Sequence, residues 1–345
     1  MRGAVALQIV TGAGEQEYYM TTKRKSHFEV IVIGAGVAGI YQIKRLVDLG
    51  IDATVLEAES DLGGTWYNNR YPGARFDSES YTYGYSFSKE LLNEWHWKEL
   101  FSGQPENLKY LNYVANKFHL RKHMQFNCSV EATHFDEAIA GWRLRLKDGR
   151  ELTCRFVIMT LGLLSIPTLP LYKGMNAFKG PSFHTFHWPH TSLSMDGKNI
   201  AVIGTGATGI QVIAEIADKV GELTVFQRRP NWSAPLNNRQ ISKEEMDTIR
   251  SRYDEIFATC ARTPGGFEHE PDRRGFYEVS REKRVALWDR LYDEPGFGIW
   301  LQNFREIFTD DSPNAELSEY IAERIRGRVN DPLTAEKLIP KDHGF

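Results

Sequence analysis

Apolar runs and a glycine-rich segment follow one another near the start of the chain. Residues 28–33 form a β-branched apolar run that leads into the segment GAGVAG at 34–39. A stretch with helical spacing continues to about residue 49, where Gly50 ends it, and a second apolar run follows at 52–56. This order predicts a strand, a helix and a second strand within about 30 residues.

The same order recurs in the second half of the chain. An apolar run at 199–203 leads into GTGATG at 204–209, a helical stretch continues to about residue 220, and a strand is predicted at 223–227. Between the two copies, residues 142–146 and 151–161 alternate around KDGR, which predicts a β-hairpin. After residue 230, three charged and amphipathic stretches at 243–262, 277–292 and 314–328 predict a helical insertion.

Both glycine-rich segments have the spacing GxGxxG between a predicted strand and a predicted helix, which is typical of a dinucleotide-binding turn. The first glycine permits the tight turn, the second lets a pyrophosphate approach the backbone, and the third lets the helix pack on the strand. The N-terminus of the helix then stabilises the phosphate charge. The alternative reading is a tight turn with no ligand. The glycines concerned are Gly34, Gly36 and Gly39 in the first copy, and Gly204, Gly206 and Gly209 in the second.

The residue that ends the second strand differs between the two copies. Glu57 follows Gly34 by 23 residues, and a carboxylate there accepts hydrogen bonds from ribose hydroxyls and repels a 2′-phosphate, which indicates FAD or NAD. Arg228, 24 residues after Gly204, is followed by Arg229, and two guanidinium groups suit the 2′-phosphate of NADP. The alternative for this pair is a solvated basic turn. Two unlike sites in one chain predict hydride transfer from NADPH to a flavin.

The predicted fold class is therefore α/β, with two Rossmann-like dinucleotide-binding domains and a helical insertion. The expected boundaries are a flexible N-terminal tail at 1–27, the N-terminal part of an FAD-binding domain at 28–165, an NADP-binding domain at 166–235, its helical insertion at 236–335, and the start of a return to these domains at 336–345. A signal peptide is disfavoured because the apolar run at 4–10 is short, and Met20 is a second candidate for the start of the protein.

Composition narrows the class of protein further. The chain has 345 residues, of which 41% are hydrophobic and 25% are charged, and this balance argues against a disordered or fibrous chain. A formal net charge of −3 makes a general attraction to nucleic acid unlikely. The three cysteines contain no CxxC pair, which favours a reducing compartment without zinc or disulfides. Because no apolar run approaches the roughly 18 residues of a membrane span, the expected location is the cytoplasm.

Two further segments carry unusual sets of residues. Residues 61–77, DLGGTWYNNRYPGARFD, combine glycines, aromatic residues and charges in one loop, which suits a surface laid against a flat ring or, alternatively, a packing loop. Residues 178–189, FKGPSFHTFHWP, precede the second nucleotide unit. Their histidines, with His190, suggest metal binding or a surface loop, but no cysteine or acidic cluster supports a metal.

The second of these segments resembles the fingerprint of the type I Baeyer–Villiger monooxygenases. The pattern is F-x-G-x-x-x-H-x-x-x-W-P, and its defining positions are filled by Phe178, Gly180, His184, Trp188 and Pro189. Residues 63–77 are similar to that family's second signature, with Asn68 where tryptophan is frequent. The Trp-Pro ending disfavours the N- and S-oxygenating flavin monooxygenases, which stay as the alternative enzyme class. A non-catalytic nucleotide-binding remnant is the other alternative.

The resemblance implies an FAD- and NADPH-dependent monooxygenase that uses O2 to convert a ketone into an ester or lactone through a C4a-peroxyflavin. It also implies roles for individual residues. Asp77 lies beside the flavin as the catalytic residue, and His184 has a structural or hinge role rather than that of a general base. The implied FAD-binding residues are Gly34, Gly36, Gly39, Glu57, Thr65, Trp66, Asp77, Tyr83 and Val130. The implied NADP-binding residues are Arg75, Gly204, Thr205, Gly206, Thr208, Gly209, Gln211, Arg228 and Arg229.

The resemblance also implies a longer chain, usually of about 500 residues. In the family, a segment like residues 337–343 continues to an active-site arginine that pairs with the equivalent of Asp77, and no residue of this sequence occupies that position. The FAD domain is therefore expected to be incomplete. On this reading, we expect weak flavin retention, poor solubility and little oxygenation by the 345-residue chain alone.

Overall fold

The computed structural model describes residues 25–163, 165–191 and 193–345, and the predicted tail therefore lies almost wholly outside the described residues. The described residues divide into two compact units. The first comprises those up to 62 together with 115–163, and the second comprises 63–114 together with those of 164–345. Residues 63–114 fall inside the predicted FAD-binding segment of the sequence but belong to the second unit. The assignment of boundaries to cofactors stays a prediction.

The first unit is built on one mixed sheet of six strands. The strands are β1 (His27–Ile33), β2 (Ala53–Leu56), β3 (Met124–Gln125), β4 (Val130–Asp136), β5 (Gly141–Leu146) and β6 (Glu151–Met159). Their order is β3-β2-β1-β6-β5-β4. Strand β1 pairs in parallel with β2 and β6, whereas β5 pairs antiparallel with both β4 and β6. Strands β1 and β2 are largely buried apolar runs, as expected for strands covered on both faces, whereas β6 (ELTCRFVIM) contains polar residues and is partly exposed.

Helix α1 (Val37–Asp48) connects β1 to β2. It buries Ile40, Ile43 and Leu46, which recur at helical spacing, and the chain reverses at Gly50 with a φ of +69°. The predicted strand–helix–strand order and the β5–β6 hairpin are confirmed. Strands β3 and β4 are additional, because β3 has two residues and β4 (VEATHFD) is mostly polar and half-buried.

The second unit contains a small parallel sheet and the remaining helices. Its strands are β7 (Asn199–Ile203) and β8 (Glu222–Phe226), joined by helix α6 (Ala207–Ile216). The earlier helices are α2 (Thr65–Asn68), α3 (Ser80–Tyr83), α4 (Lys89–Glu94) and α5 (Gln104–Lys117). The last three residues of α5 belong to the first unit. An apolar cluster of Tyr71, Ala74, Val212 and Ile216 packs the 71–74 loop on α6.

Helices dominate the second unit after β8, as the sequence predicts. They are α7 (Lys243–Arg262), α8 (Arg281–Asp293), α9 (Gly298–Leu301), α10 (Asp311–Arg328) and α11 (Pro332–Leu338). Ser242, Asp310 and Asp331 cap α7, α10 and α11 with side-chain oxygens. Trp288 and Phe304 lie in a buried core of this region. Among the described residues, no helix has the length and apolarity required to cross a membrane.

Candidate functional site

The two glycine-rich turns have nearly the same backbone geometry. Gly34 has a φ of +102° and Gly204 a φ of +103°, a conformation that favours glycine. A Cβ atom on Gly39 would lie 1.9 Å from the carbonyl oxygen of Gly34, and a Cβ on Gly209 would lie 2.4 Å from that of Gly204. The first glycine of each turn therefore permits a positive φ, and the third permits a close backbone approach that a side chain would block.

The second glycine of each turn is the N-cap of the following helix. Gly36 precedes α1 and Gly206 precedes α6, and neither cap supplies a side-chain hydrogen bond to the first turn of its helix. A Cβ atom on Gly206 would meet nothing within 4 Å. Each helix thus begins with backbone N–H groups that its own N-cap side chain leaves uncapped. This is the arrangement that receives a phosphate.

Glu57 follows the end of β2 and is bound to the first turn. Its side chain is buried, Oε2 accepts a hydrogen bond of 2.6 Å from the backbone N–H of Ala35, and Oε1 accepts one of 2.9 Å from Glu59. A carboxylate has about four acceptor positions, so two remain for further donors. The carboxylate is therefore held beside the turn with capacity to bind hydroxyl groups.

The corresponding position of the second unit is basic. Thr205 donates a hydrogen bond of 3.4 Å to the carbonyl of Arg229, and Asn231 donates one of 2.8 Å to the carbonyl of Thr205, which joins the segment after β8 to the glycine-rich turn. The guanidinium of Arg229 pairs with Asp342 at 3.0 Å. Arg228 is exposed and forms no ion pair with any residue that the structure describes.

Gln211 joins α6 to the 71–77 loop through its side-chain amide. Its Oε1 accepts hydrogen bonds from the hydroxyl of Tyr71 at 2.9 Å and from the backbone N–H of Arg75 at 3.4 Å. Its Nε2 donates to the carbonyl of Arg75 at 3.0 Å and to Oδ1 of Asp77 at 3.4 Å. One predicted NADP residue therefore contacts two residues of the second signature that are predicted to lie near the nicotinamide and the flavin.

Asp77 is half-buried, and burial raises the pKa of its carboxyl above the usual range. The hydrogen bond from Gln211 and the positive charge of Arg75 act in the opposite direction and lower that pKa. Arg75 itself donates to Glu99 and to the carbonyl of Phe101, both at 3.2 Å. Arg75 is therefore ion-paired with Glu99 and acts on Asp77 only through its charge.

A buried aromatic group contains two of the predicted flavin residues. The indole N–H of Trp66 donates a hydrogen bond of 2.8 Å to the hydroxyl of Tyr83, and Phe76 stacks on Tyr83 with ring centroids 4.3 Å apart. Trp66 also meets Phe76 edge to face at 5.6 Å. Thr65 is exposed at the start of α2, next to Trp66. The aromatic residues of this loop thus pack on one another within the second unit, which agrees with the alternative of a packing loop, and their contact with a flat ring stays a prediction.

The fingerprint residues have mainly packing roles in the structure. Nδ1 of His184 accepts a hydrogen bond of 3.1 Å from the backbone N–H of Phe186 and caps a short 3₁₀ turn. Trp188 packs against the apolar cluster of Tyr71 and α6, and Pro189 is half-buried. A Cβ on Gly180 would lie 2.8 Å from the exposed ring of Phe178. The role of His184 as structural rather than basic stays a prediction, and its capping bond agrees with that role.

The predicted site residues fall into both compact units. The first unit holds the predicted FAD residues Gly34, Gly36, Gly39, Glu57 and Val130, of which Val130 begins β4 and packs against the core of the sheet. The second unit holds the predicted FAD residues Thr65, Trp66, Asp77 and Tyr83. It also holds every predicted NADP residue, namely Arg75, Gly204, Thr205, Gly206, Thr208, Gly209, Gln211, Arg228 and Arg229. Their roles stay predictions.

The 71–77 loop contains two features that the sequence did not indicate. Tyr71 has its hydroxyl 3.5 Å from Thr208 as well as on Gln211, and burial raises its pKa. Gly73 has a φ of +79°, and a Cβ there would lie 2.5 Å from the carbonyl oxygen of Gln211. The signal for both was the motif Tyr-Pro-Gly. Both residues belong to the second signature of the family that the sequence resembles, but nothing in the motif indicated their contacts with α6.

A buried acid and base pair lies two residues beyond Asp77. Oε1 of Glu79 is 2.8 Å from Nε2 of His269, which comes from the loop between α7 and α8. Oε2 of Glu79 is buried and has no hydrogen-bond partner within the part of the chain that the structure describes. Nothing in the sequence pattern indicated this pair. Across residues 25–163, 165–191 and 193–345, no group of three or more His, Cys, Asp or Glu side chains could hold a metal ion.

Comparisons with known proteins agree with these features. The model of the family described as flavin-binding monooxygenase-like matches residues 27–243. A 2-oxo-Δ3-4,5,5-trimethylcyclopentenylacetyl-CoA monooxygenase of Pseudomonas putida is 44% identical over 333 residues, which cover 94% of this chain and 61% of the relative. A cyclohexanone 1,2-monooxygenase of an Acinetobacter species is 40% identical over 321 residues, which cover 92% of this chain and 59% of the relative.

A solved structure has the same fold as the described part of this chain. The crystal structure of OTEMO in complex with FAD and NADP superimposes with a TM-score of 0.90 at 45% identity, covering 92% of this chain and 61% of that chain. The chain thus spans about three fifths of the length of the relatives it matches. At this identity the shared architecture includes the two Rossmann-type units that the sequence predicted.

Proposed function

Because this chain belongs to the flavin-binding monooxygenase-like family, we propose that it carries the FAD- and NADPH-binding segments of a Baeyer–Villiger monooxygenase, with a ketone and O2 as the other substrates. The relatives that support this proposal include an enzyme named for cyclohexanone and a structure that contains FAD and NADP. The Trp188-Pro189 ending of the fingerprint favours ketone oxygenation within the family. A cytoplasmic location belongs to the same proposal.

The observation that carries the proposal is a repeated turn with opposite charges beside it. Gly34 and Gly204 share one backbone geometry, but the strand that follows ends at a buried carboxylate in one unit and at two arginines in the other. A carboxylate suits ribose hydroxyls, and guanidinium groups suit a phosphate. The two turns therefore fit different nucleotides, FAD at the first and NADP at the second.

Each cofactor would be held by residues that fit its chemistry. Bound FAD and NADPH together supply the electrons and activate O2, and the protein supplies binding, orientation and a controlled environment. For FAD, Glu57 would bind the ribose, and the N-terminus of α1 would face the pyrophosphate. For NADP, Gly206 and the N-terminus of α6 would face the pyrophosphate, and Arg228 would bind the 2′-phosphate.

The second unit supplies the groups for the reacting end. Trp66 and Tyr83 form an apolar surface whose polar atoms bond to each other, so it excludes water without leaving an unpaired donor. Asp77 is the titratable group beside it, and Gln211 fixes one of its oxygens. Burial raises the pKa of Asp77 and so favours the protonated form of its carboxyl, and Oδ2 would carry the proton because Oδ1 accepts from Gln211.

The proposal is tested with the purified chain, FAD, NADPH, cyclohexanone and a methyl aryl sulfide in air. We expect NADP⁺ to bind in calorimetry and FAD to be retained only weakly on gel filtration. Oxygenation is expected to be slow, with the lactone rather than the sulfoxide as its product. A sulfoxide formed without any lactone would assign the chain to the N- or S-oxygenating class. Binding of NADP⁺ with no detectable affinity for FAD, even at high FAD concentration, and with no oxygenated product would identify a non-catalytic remnant and overturn the proposal.

A further inference from the structure

One of the two predicted phosphate-binding arginines, Arg229, is already paired with a carboxylate of the chain. Nη1 of Arg229 lies 3.0 Å from Oδ2 of Asp342, a residue 113 positions later in the chain. The other carboxylate oxygen, Oδ1, lies 2.8 Å from Nδ1 of His343. The hydrogen bonds from His343 and Arg229 both lower the pKa of Asp342, which therefore carries a full negative charge near neutral pH.

Asp342 is held in this place by bonds that do not involve Arg229. The indole N–H of Trp232 donates a hydrogen bond of 3.1 Å to the carbonyl of His343, and Gln227 donates one of 2.8 Å to the carbonyl of Lys337. The ring of Phe345 stacks on Trp300 with centroids 4.7 Å apart. The segment that carries Asp342 is thus attached to the residues after β8 at several points, so the carboxylate stays near Arg229.

Arg229 is attached in turn to the glycine-rich turn. Its carbonyl accepts a hydrogen bond from Thr205, the second residue of that turn. A nucleotide phosphate that reaches Arg229 therefore meets a guanidinium already paired with an internal anion. Replacing that anion breaks the ion pair, and sharing the guanidinium places two negative charges close together.

We propose that Asp342 is a specificity-determining residue that competes with the 2′-phosphate for Arg229 and so lowers the preference of this unit for 2′-phosphorylated nucleotides. This inference rests on the proposed NADP site. In this inference Asp342 is an internal counter-ion of Arg229. Direct binding of the 2′-phosphate then falls mainly to Arg228, which pairs with no carboxylate among the described residues.

The experiment measures binding of 2′,5′-ADP and of 5′-ADP to the full chain by isothermal titration calorimetry at low ionic strength. In the Asp342→Asn variant we expect 2′,5′-ADP to bind about three- to fivefold more tightly, because one unit charge at a few ångströms in a water-like medium has an effect of this size. Binding of 5′-ADP stays unchanged. The gain shrinks as salt is added, since both groups are exposed.

Two further variants make the test specific. Glu319→Gln removes a carboxylate that pairs with Arg326 rather than with Arg229, and it leaves the affinity for 2′,5′-ADP unchanged. In an Arg229→Gln background, Asp342→Asn has no effect. Thermal unfolding of each variant confirms that the fold is kept.

Three results overturn the inference. They are unchanged or weaker binding of 2′,5′-ADP to Asp342→Asn, an equal gain for 5′-ADP, or a gain that persists in the Arg229→Gln background. If the unaltered chain prefers 2′,5′-ADP over 5′-ADP in the same titrations, any of these results leaves the proposed NADP site standing. Failure of every variant to bind 2′,5′-ADP overturns both proposals.

Discussion

Nε2 of Gln211 lies 3.4 Å from Oδ1 of Asp77, so one side-chain amide joins helix α6 to the carboxylate of the 71–77 loop. The same nitrogen donates to the carbonyl of Arg75 at 3.0 Å, and the amide oxygen accepts from Tyr71. Because Gln211 lies in the second turn of α6, these bonds hold the loop in a fixed position on the helix that begins at the second glycine-rich turn.

Replacing Gln211 by leucine tests this connection. The variant loses the bonds to Tyr71, Arg75 and Asp77 and leaves partly buried polar groups without partners, so the free energy of unfolding falls by roughly 1–3 kcal/mol. Urea unfolding followed by tryptophan fluorescence measures the change. Gln227→Leu is the matched control, because its amide donates a single exposed bond, and its effect stays within about 0.5 kcal/mol. Equal losses in the two variants would show that the amide has no special role.

The pH dependence of stability tests the environment of Asp77. Burial raises its folded-state pKa, so the native state keeps a proton that the unfolded chain has lost, and stability falls as pH rises from the unfolded pKa through the folded one. Asp77→Asn removes this effect. The free energy of unfolding of the variant, minus that of the original chain, therefore increases with pH over this interval.

Asp331→Asn provides the control of opposite sign. Hydrogen bonds from Thr334 lower the pKa of Asp331, so its contribution to stability is present above the unfolded pKa and is lost as pH falls through the folded pKa. The stability difference for this variant therefore decreases as pH rises. Parallel slopes for the two variants would contradict the assignment for Asp77.

Gly73 provides a test of the close approach between the loop and α6. An alanine there adopts an unfavourable φ of +79° and places its Cβ 2.5 Å from the carbonyl oxygen of Gln211, so we expect a loss of roughly 2–5 kcal/mol in unfolding free energy. Gly174→Ala is a close match, with a φ of +80° and no atom within 4 Å of the added Cβ. Its expected loss is about 1 kcal/mol. Chemical denaturation of both variants measures the difference, and similar losses would rule out the proposed contact.

Gly206→Ala separates nucleotide binding from folding. Its φ of −72° suits any residue and its Cβ would meet no protein atom, so stability falls by less than about 1 kcal/mol. The added methyl group fills the space through which a pyrophosphate approaches the backbone, and binding of NADP⁺ weakens about tenfold or more. Gly327→Ala, at an exposed and equally open position of α10, leaves calorimetric NADP⁺ binding unchanged. Unaltered binding to Gly206→Ala would place the nucleotide elsewhere.

The sequence predicted those parts of the fold that depend on local pattern. The strands around Gly34 and Gly204 follow from apolar runs, and α7 (Lys243–Arg262) has the predicted bounds because its helical spacing is long and begins at a Ser242 cap. Strand β4 was missed because most of its residues are polar, and its position depends on pairing with β5 rather than on its own pattern.

The contacts between distant segments could not be predicted from local pattern. Gln211 was assigned to NADP from its place after GTGATG, but its hydrogen bond to Asp77 joins residues 134 positions apart. The pairs Glu79–His269 and Arg229–Asp342 are separated by 190 and 113 positions. A single sequence carries no signal for such pairs, because they form only when packing brings separate segments together.

Helix α6 connects the proposed phosphate site to the titratable carboxyl of Asp77. Its N-terminus is the proposed phosphate site, and Gln211, about one turn further along, touches Asp77. An anion bound at Gly206 disfavours the charged form of Asp77, so occupancy and protonation of that carboxyl are thermodynamically coupled. At pH values near the pKa of Asp77, we therefore expect binding at this proposed site to take up a fraction of a proton, so that the measured heat changes with the ionisation enthalpy of the buffer.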